Sequence, residues 1–268
     1  MQRWNKFLNL RVLVITDLVI FILKVCYTLT FKPVAKGFED WSIAQNLARH
    51  GSYSEFLQIG PTAYKLPVYP FFLSFFVKIF PENSAQAGML VQHFIYFLIP
   101  FLLVVTGRLL ARPLAGIIAG FLFVLSPAYL HYSQVLEVTN VFIPVFLIWL
   151  ILFLYLLKLK KTPGNWLLIA FGVCSAILAL TQVVAVPLCS ILVLSLLFFK
   201  KINFKGFLLV TCTAIILYTP WIIRNYSEFH RFVPSKSPKW QNIYLGFTPS
   251  PNILKDVAVI SSAHENYT

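Results

Sequence analysis

The chain has 268 residues, of which 59% are hydrophobic and only 12% charged, where a soluble domain carries roughly 45–50% apolar and about 25% charged residues; it lacks the polar surface to cover a globule in water. Its formal net charge of +13 sits in short clusters between apolar runs and forms no basic stripe interleaved with aromatics, which excludes a nucleic-acid footprint and leaves a membrane orientation signal. With a mean hydropathy of +0.78 it is expected to be an all-α, polytopic integral membrane protein.

A bilayer core takes about 20 apolar residues as helix. Runs of that kind predict seven transmembrane helices, at roughly 11–31, 88–107, 113–130, 138–157, 165–181, 183–199 and 206–222. The first follows a basic N-terminus and lacks the small-residue cleavage pattern of a signal peptide, so it is a retained helix. Asp17 and Lys24 lie within it, one heptad apart and about 10 Å apart along the axis, too far for direct pairing; structural packing accounts for them best.

Between the first two runs, residues 32–87 form a substantial loop. Trp41, Ala44, Leu47 and Ala48 recur at helical spacing, with Asp40 in the place of an N-cap and Gly51 in that of a C-cap, which predicts a short amphipathic helix on the membrane surface. Asp40 is either a cap or, with Glu39, a catalytic carboxylate pair. Three prolines, Pro61, Pro67 and Pro70, predict an extended, stiff segment that holds Lys65, Tyr64 and Tyr69 near the membrane surface, either as a plug between helices or with Lys65 on an anionic head group. The apolar stretch from Pro67 to Phe80 is too short to span comfortably.

Charge supports that choice. With 67–80 not spanning, Arg108 and Arg112, Lys158, Lys160 and Lys161, and Lys200, Lys201 and Lys205 all fall on the side of the basic N-terminus, as the positive-inside rule asks. Every carboxylate except Asp17 then falls outside. The expected organisation is a transmembrane core over 1–222, with its catalytic loop at 32–87 on the outer face, and an extracytoplasmic segment at 223–268.

Glu137, at the outer start of the fourth run, is a candidate site residue because a glutamate entering a membrane helix needs a partner or water; alternatively it is solvated and favours the helix N-terminus. The pair Gly116 and Gly120 fits close helix packing. Neither the four cysteines nor the five histidines show ligand spacing, and no phosphate-cradling loop or nucleophile elbow occurs, so no metal or cofactor is expected. The outer tail from Asn225 to Phe247 mixes aromatics with cations in a way that suits a sugar or a membrane head group, or is equally a loop cut away from the rest of its domain.

The acidic pair followed by Ala44-Gln45-Asn46-Leu47-Ala48-Arg49-His50-Gly51-Ser52-Tyr53-Ser54, then Pro61-Thr62-Ala63-Tyr64-Lys65-Leu66-Pro67-Val68-Tyr69-Pro70, resembles the first outer loop of GT-C membrane glycosyltransferases, in the branch of protein O-mannosyltransferases and lipid A aminoarabinose transferase. Thr219-Pro220-Trp221-Ile222-Ile223-Arg224-Asn225-Tyr226 is similar to a second motif of that family, and the resemblance covers roughly residues 10–250. It implies a multi-pass protein of the bacterial inner membrane with an outward-facing site, where an inverting transfer moves a sugar from a polyprenyl phosphate to a lipid, glycan or protein acceptor. It further implies Glu39 or Asp40 as general base, and the chemistry of a phosphate leaving group suits Lys65 and Arg224 as its ligands. Where the family commonly has an arginine after Leu-Thr, this chain has Gln182 after Thr181. Family members are also longer, which implies an N-terminal portion of a larger enzyme. Two other classes fit the composition: a catalytically silent subunit or fragment, and a lipid transporter or flippase, which would place ionisable residues near the bilayer midplane.

Overall fold

The computed structural model describes residues 9–31 and 39–237. Within them the chain is helical, with no strand among the described residues. The elements are α1 (Leu10–Phe31), α2 (Glu39–His50), α3 (Val68–Ile79), α4 (Ser84–Leu109), α5 (Pro113–Leu125), α6 (Pro127–Tyr132), α7 (Thr139–Lys158), α8 (Asn165–Thr181), a 3-10 turn (Val183–Ala185), α9 (Val186–Phe198) and α10 (Phe204–Phe229).

Four helices, α1, α4, α7 and α10, are long and apolar enough to cross a membrane. At 20 to 26 residues they measure about 30–39 Å, matching a hydrocarbon core of about 30 Å. The other predicted spans are shorter: α5 and α9 have 13 residues each and α8 has 17. The expected span 113–130 breaks at Ser126, whose extended backbone (ψ 121°) precedes Pro127, a residue that restarts α6 as a separate helix. In the opposite sense, α10 continues to Phe229, beyond the expected end at 222, and absorbs Pro220 in its interior.

Small residues set the closest contacts. A Cβ on Gly107 would stand 2.6 Å from the Cα of Gly116, so α4 and α5 meet backbone to backbone, and Gly120 faces Leu13 of α1. Gly172 brings α8 against the backbone of α10 in the same way. Around α7, α8, α9 and α10, Trp149, Phe153, Phe171, Leu178 and Leu196 form the largest apolar core. Trp149 stacks on Phe153 and Phe171 while its Nε1–H donates to Ser175 Oγ at 2.8 Å.

Two local expectations change. Asp40 is not the N-cap of α2; it lies inside the first turn, and Trp41 packs inward on the cluster of Tyr69, Leu73 and Met89. The prolines do not keep 67–70 extended, because Pro67 and Pro70 occupy the cap and first turn of α3, where a missing N–H leaves no intrahelical bond unmade.

Helix directions define two ends of the bundle. The start of α7, the ends of α8 and α10 and the loop after α2 share one end, so the basic residues Arg108, Lys158, Lys200, Lys201 and Lys205, at the opposite helix termini, fall at the other.

Candidate functional site

The loop after α2 is knitted before it is functional. Gly51 takes the left-handed conformation (φ 68°) that ends α2, its N–H bonding Leu47 O at 3.1 Å. Asn46, on the last turns of α2, reaches back with Nδ2 to the carbonyls of Ser54 (2.8 Å) and Glu55 (3.0 Å). Thr62 N–H bonds Tyr53 O at 3.0 Å, and Tyr53 OH donates to Lys65 O at 3.1 Å, which fixes the backbone that carries Lys65.

Lys65 then turns onto the acidic pair. Its Nζ lies 3.2 Å from Glu39 Oε2 and 3.7 Å from Asp40 Oδ2, with the ring of Tyr64 5.2 Å below it. The two carboxylates differ in setting: the Asp40 side chain is 3% exposed and that of Glu39 32%. Burial pushes Asp40 up to about 6, against the pull of Lys65 and helped by the charges of Glu39 and Glu137. For Lys65, burial opposes the ammonium, but Asp40 and Glu39 outweigh it and hold the group above its usual value. Tyr64 is likewise raised, first by burial and then by Glu39.

Beside this cluster is a cleft of about 40 Å³, lined by Asp40, Lys65, Leu66, Val138, Thr181, Gln182 and Lys236. That volume admits water-sized groups or one arm of a larger ligand. Lys236 arrives there because the segment after α10 folds back: Asn225 Nδ2 donates to Val233 O (2.9 Å), Trp221 Nε1 to Ser235 O (2.8 Å), and Ser237 N to Ala63 O (3.0 Å). Gln182, at the position where the resembled family has an arginine, lines the same cleft, and the cations among its lining residues are Lys65 and Lys236.

The other expected site residues are placed differently. Arg224 does not line the cleft. Its guanidinium donates to Thr62 O (2.7 Å), Tyr53 O (3.2 Å) and Asn225 Oδ1 (3.0 Å) and stacks over Tyr53, Trp221 and Phe229, which makes it a staple between α10 and the loop. Tyr69 is fully buried, with its hydroxyl donated to Gln92 Oε1 at 2.6 Å; it is a core residue, not a ligand contact. Glu137 accepts from Thr139 Oγ1 at 2.8 Å and acts on Asp40 through its charge, while its neighbour Val138 lines the cleft. Of the tail from Asn225 to Phe247, residues 238–247 lie outside the described residues.

Among the described residues no group of three or more His, Cys, Asp or Glu side chains is arranged to hold a metal ion. Comparison with known proteins finds no matching family model, no similar curated protein and no similar solved structure. Fold and site together define a protein that is helical throughout its described residues, with four helices fit to cross a membrane and a buried carboxylate, ion-paired with Lys65, on a cleft that Lys236 also lines.

Proposed function

We propose that the protein is a membrane glycosyltransferase of GT-C type, moving a sugar from a polyprenyl phosphate to an extracytoplasmic lipid, glycan or protein acceptor. The observation that carries it is Asp40: a buried carboxylate ion-paired with Lys65, on a cleft that a second lysine, Lys236, also lines. As general base, Asp40 takes the proton of the acceptor hydroxyl while that oxygen forms its bond to the anomeric carbon and the bond from that carbon to the phosphate oxygen breaks. Lys65 and Lys236 face the negative charge that grows on the departing lipid phosphate. Glu39, half-exposed and ion-paired with Lys65, orients that lysine.

The seven-pass GT-C plan, with α5, α8 and α9 as short spans, and an outward-facing site in a bacterial inner membrane belong to this proposal. Supporting the orientation, the basic termini of α4, α7 and α10 gather at the end away from Asp40, as the positive-inside rule requires of an outward site. The test is sugar transfer in proteoliposomes, from polyprenyl-phosphate sugars to extracts of envelope acceptors, by wild type, Asp40→Asn and Glu39→Gln. Loss of transfer in a folded Asp40→Asn variant supports the base; transfer unchanged in both single variants and in the double variant sinks it.

A further inference from the structure

The membrane half of the molecule holds a second polar site, between α1, α4 and α5. A small cavity of about 10 Å³ is lined there by Asp17, Lys24, His93, Tyr96, Phe123 and Tyr129. Two of its polar side chains are buried and incompletely bonded. Asp17 is 5% exposed and His93 1%, and Asp17 Oδ2 and His93 Nδ1 have no hydrogen-bond partner. A buried polar atom left unbonded costs roughly 1–3 kcal/mol, so two at one cavity call for a shared partner.

Hydrogen-bond direction identifies that partner. Thr28 has one hydroxyl hydrogen, and it goes to Gln134 Oε1 at 3.2 Å. The contact between Thr28 Oγ1 and His93 Nε2, at 2.8 Å, must therefore be donated by the ring, which makes His93 the Nε2–H tautomer and leaves Nδ1 as an acceptor. Asp17 Oδ2 is also an acceptor. Tyr96 offers no hydrogen, since its hydroxyl is given to Asn140 Oδ1. Lys24, whose Nζ lies 5.0 Å from the centroid of the Tyr96 ring, has hydrogens to donate but no acceptor among these groups within direct reach. The ligand needed donates twice and accepts once. Two acceptors rule out an anion, the ammonium disfavours a metal cation, and about 10–15 Å³ is the space of one water.

We propose that this cavity is a built water site, in which one internal water donates to Asp17 Oδ2 and His93 Nδ1 and accepts from Lys24 Nζ. The water converts an unpaired aspartate and lysine into a bridged ion pair inside the membrane. It also completes a chain from α1 through His93 and Thr28 to Gln134, on the segment whose Val138 walls the carboxylate cleft. This stands independently of the glycosyltransferase reading.

The experiment is ¹⁵N NMR of the histidine-labelled full chain in detergent micelles, with His93 assigned among the five histidines by His93→Gln. The expected result is a neutral Nε2–H tautomer whose Nδ1 signal is shifted upfield as a bonded acceptor, with a cross-relaxation contact from long-lived water to the ring. An Nδ1–H tautomer, or an Nδ1 signal of unbonded pyridine type, overturns it. Asp17→Leu combined with Lys24→Met should fill the cavity and return Nδ1 to the unbonded shift; an unchanged shift in the folded variant also overturns it. Should that variant not fold, the wild-type tautomer, shift and water contact decide.

Discussion

The Nζ of Lys65 stands 3.7 Å from Oδ2 of Asp40, and the aspartate nevertheless titrates near 6 because its burial outweighs the attraction of that ammonium. A carboxylate poised this way is charged at neutral pH and still basic enough to accept a proton.

The titration is directly measurable. The chain has three aspartates, Asp17, Asp40 and Asp256, so ¹³C-labelled aspartate gives three carboxyl signals. The Asp40 signal should titrate at about 6, against its ordinary value of 3.8, and Lys65→Met should move it higher, since Lys65 is the group holding it down. Transfer activity should rise with pH through that same midpoint. Stability runs the opposite way: a raised carboxyl favours the folded state when protonated, so this contribution is full below about 4 and is lost as pH rises through about 6. A midpoint for Asp40 at or below its ordinary value would remove the base from the account.

Arg224 should behave as a staple. Arg224→Ala removes charged hydrogen bonds to the carbonyls of Thr62 and Tyr53 and is expected to destabilise the protein by about 2–4 kcal/mol and to open the 51–66 loop to protease. Arg224→Lys cannot bridge both carbonyls and should rescue little. Limited proteolysis with mass-spectrometric mapping reads this, and a normal loop in Arg224→Ala would restore the residue as a free ligand.

Tyr69→Phe separates core from site. It leaves Gln92 Oε1, on a fully buried side chain, without the hydrogen it accepts at 2.6 Å, and should lower thermal stability by about 1–3 kcal/mol while lipid binding is unchanged. A drop in lipid affinity at unchanged stability would put Tyr69 back among the ligand contacts.

Gly107→Ala should be the most damaging small substitution. The added methyl group would lie 2.6 Å from Gly116 Cα, with backbone on both sides, so α4 and α5 must separate at a cost of about 1–3 kcal/mol or more. Gly164→Ala, which meets open space, is the control for the loss of a glycine.

The helical class and the presence of helices fit to cross a membrane were legible because apolar runs of membrane length dominate the chain; Asp40 and Lys65 were legible as candidates in one loop motif, but their ion pair was not, since Lys65 was assigned to an anionic head group or phosphate. Lengths of the later helices were not, since hydropathy reads straight through Ser126 and Pro127, where the backbone turns. Lys236 carried no signal: it sits in Pro234-Ser235-Lys236-Ser237-Pro238, and only the bonds from Trp221, Asn225 and Ser237 bring it to the cleft. Arg224 stood out from a motif, but its bonds to the carbonyls of Thr62 and Tyr53 were not legible, because a guanidinium that serves two carbonyls has the same sequence signature as one that serves a phosphate.

Donor binding at Lys65 and Lys236 is read by mass spectrometry of the lipids that the purified full chain retains in mild detergent, for wild type and for Lys65→Met combined with Lys236→Met. A polyprenyl phosphate or its sugar ester should remain on the wild type and be lost from the folded double variant. Bulk phospholipid alone on both, or equal retention of the carrier by both, would contradict it.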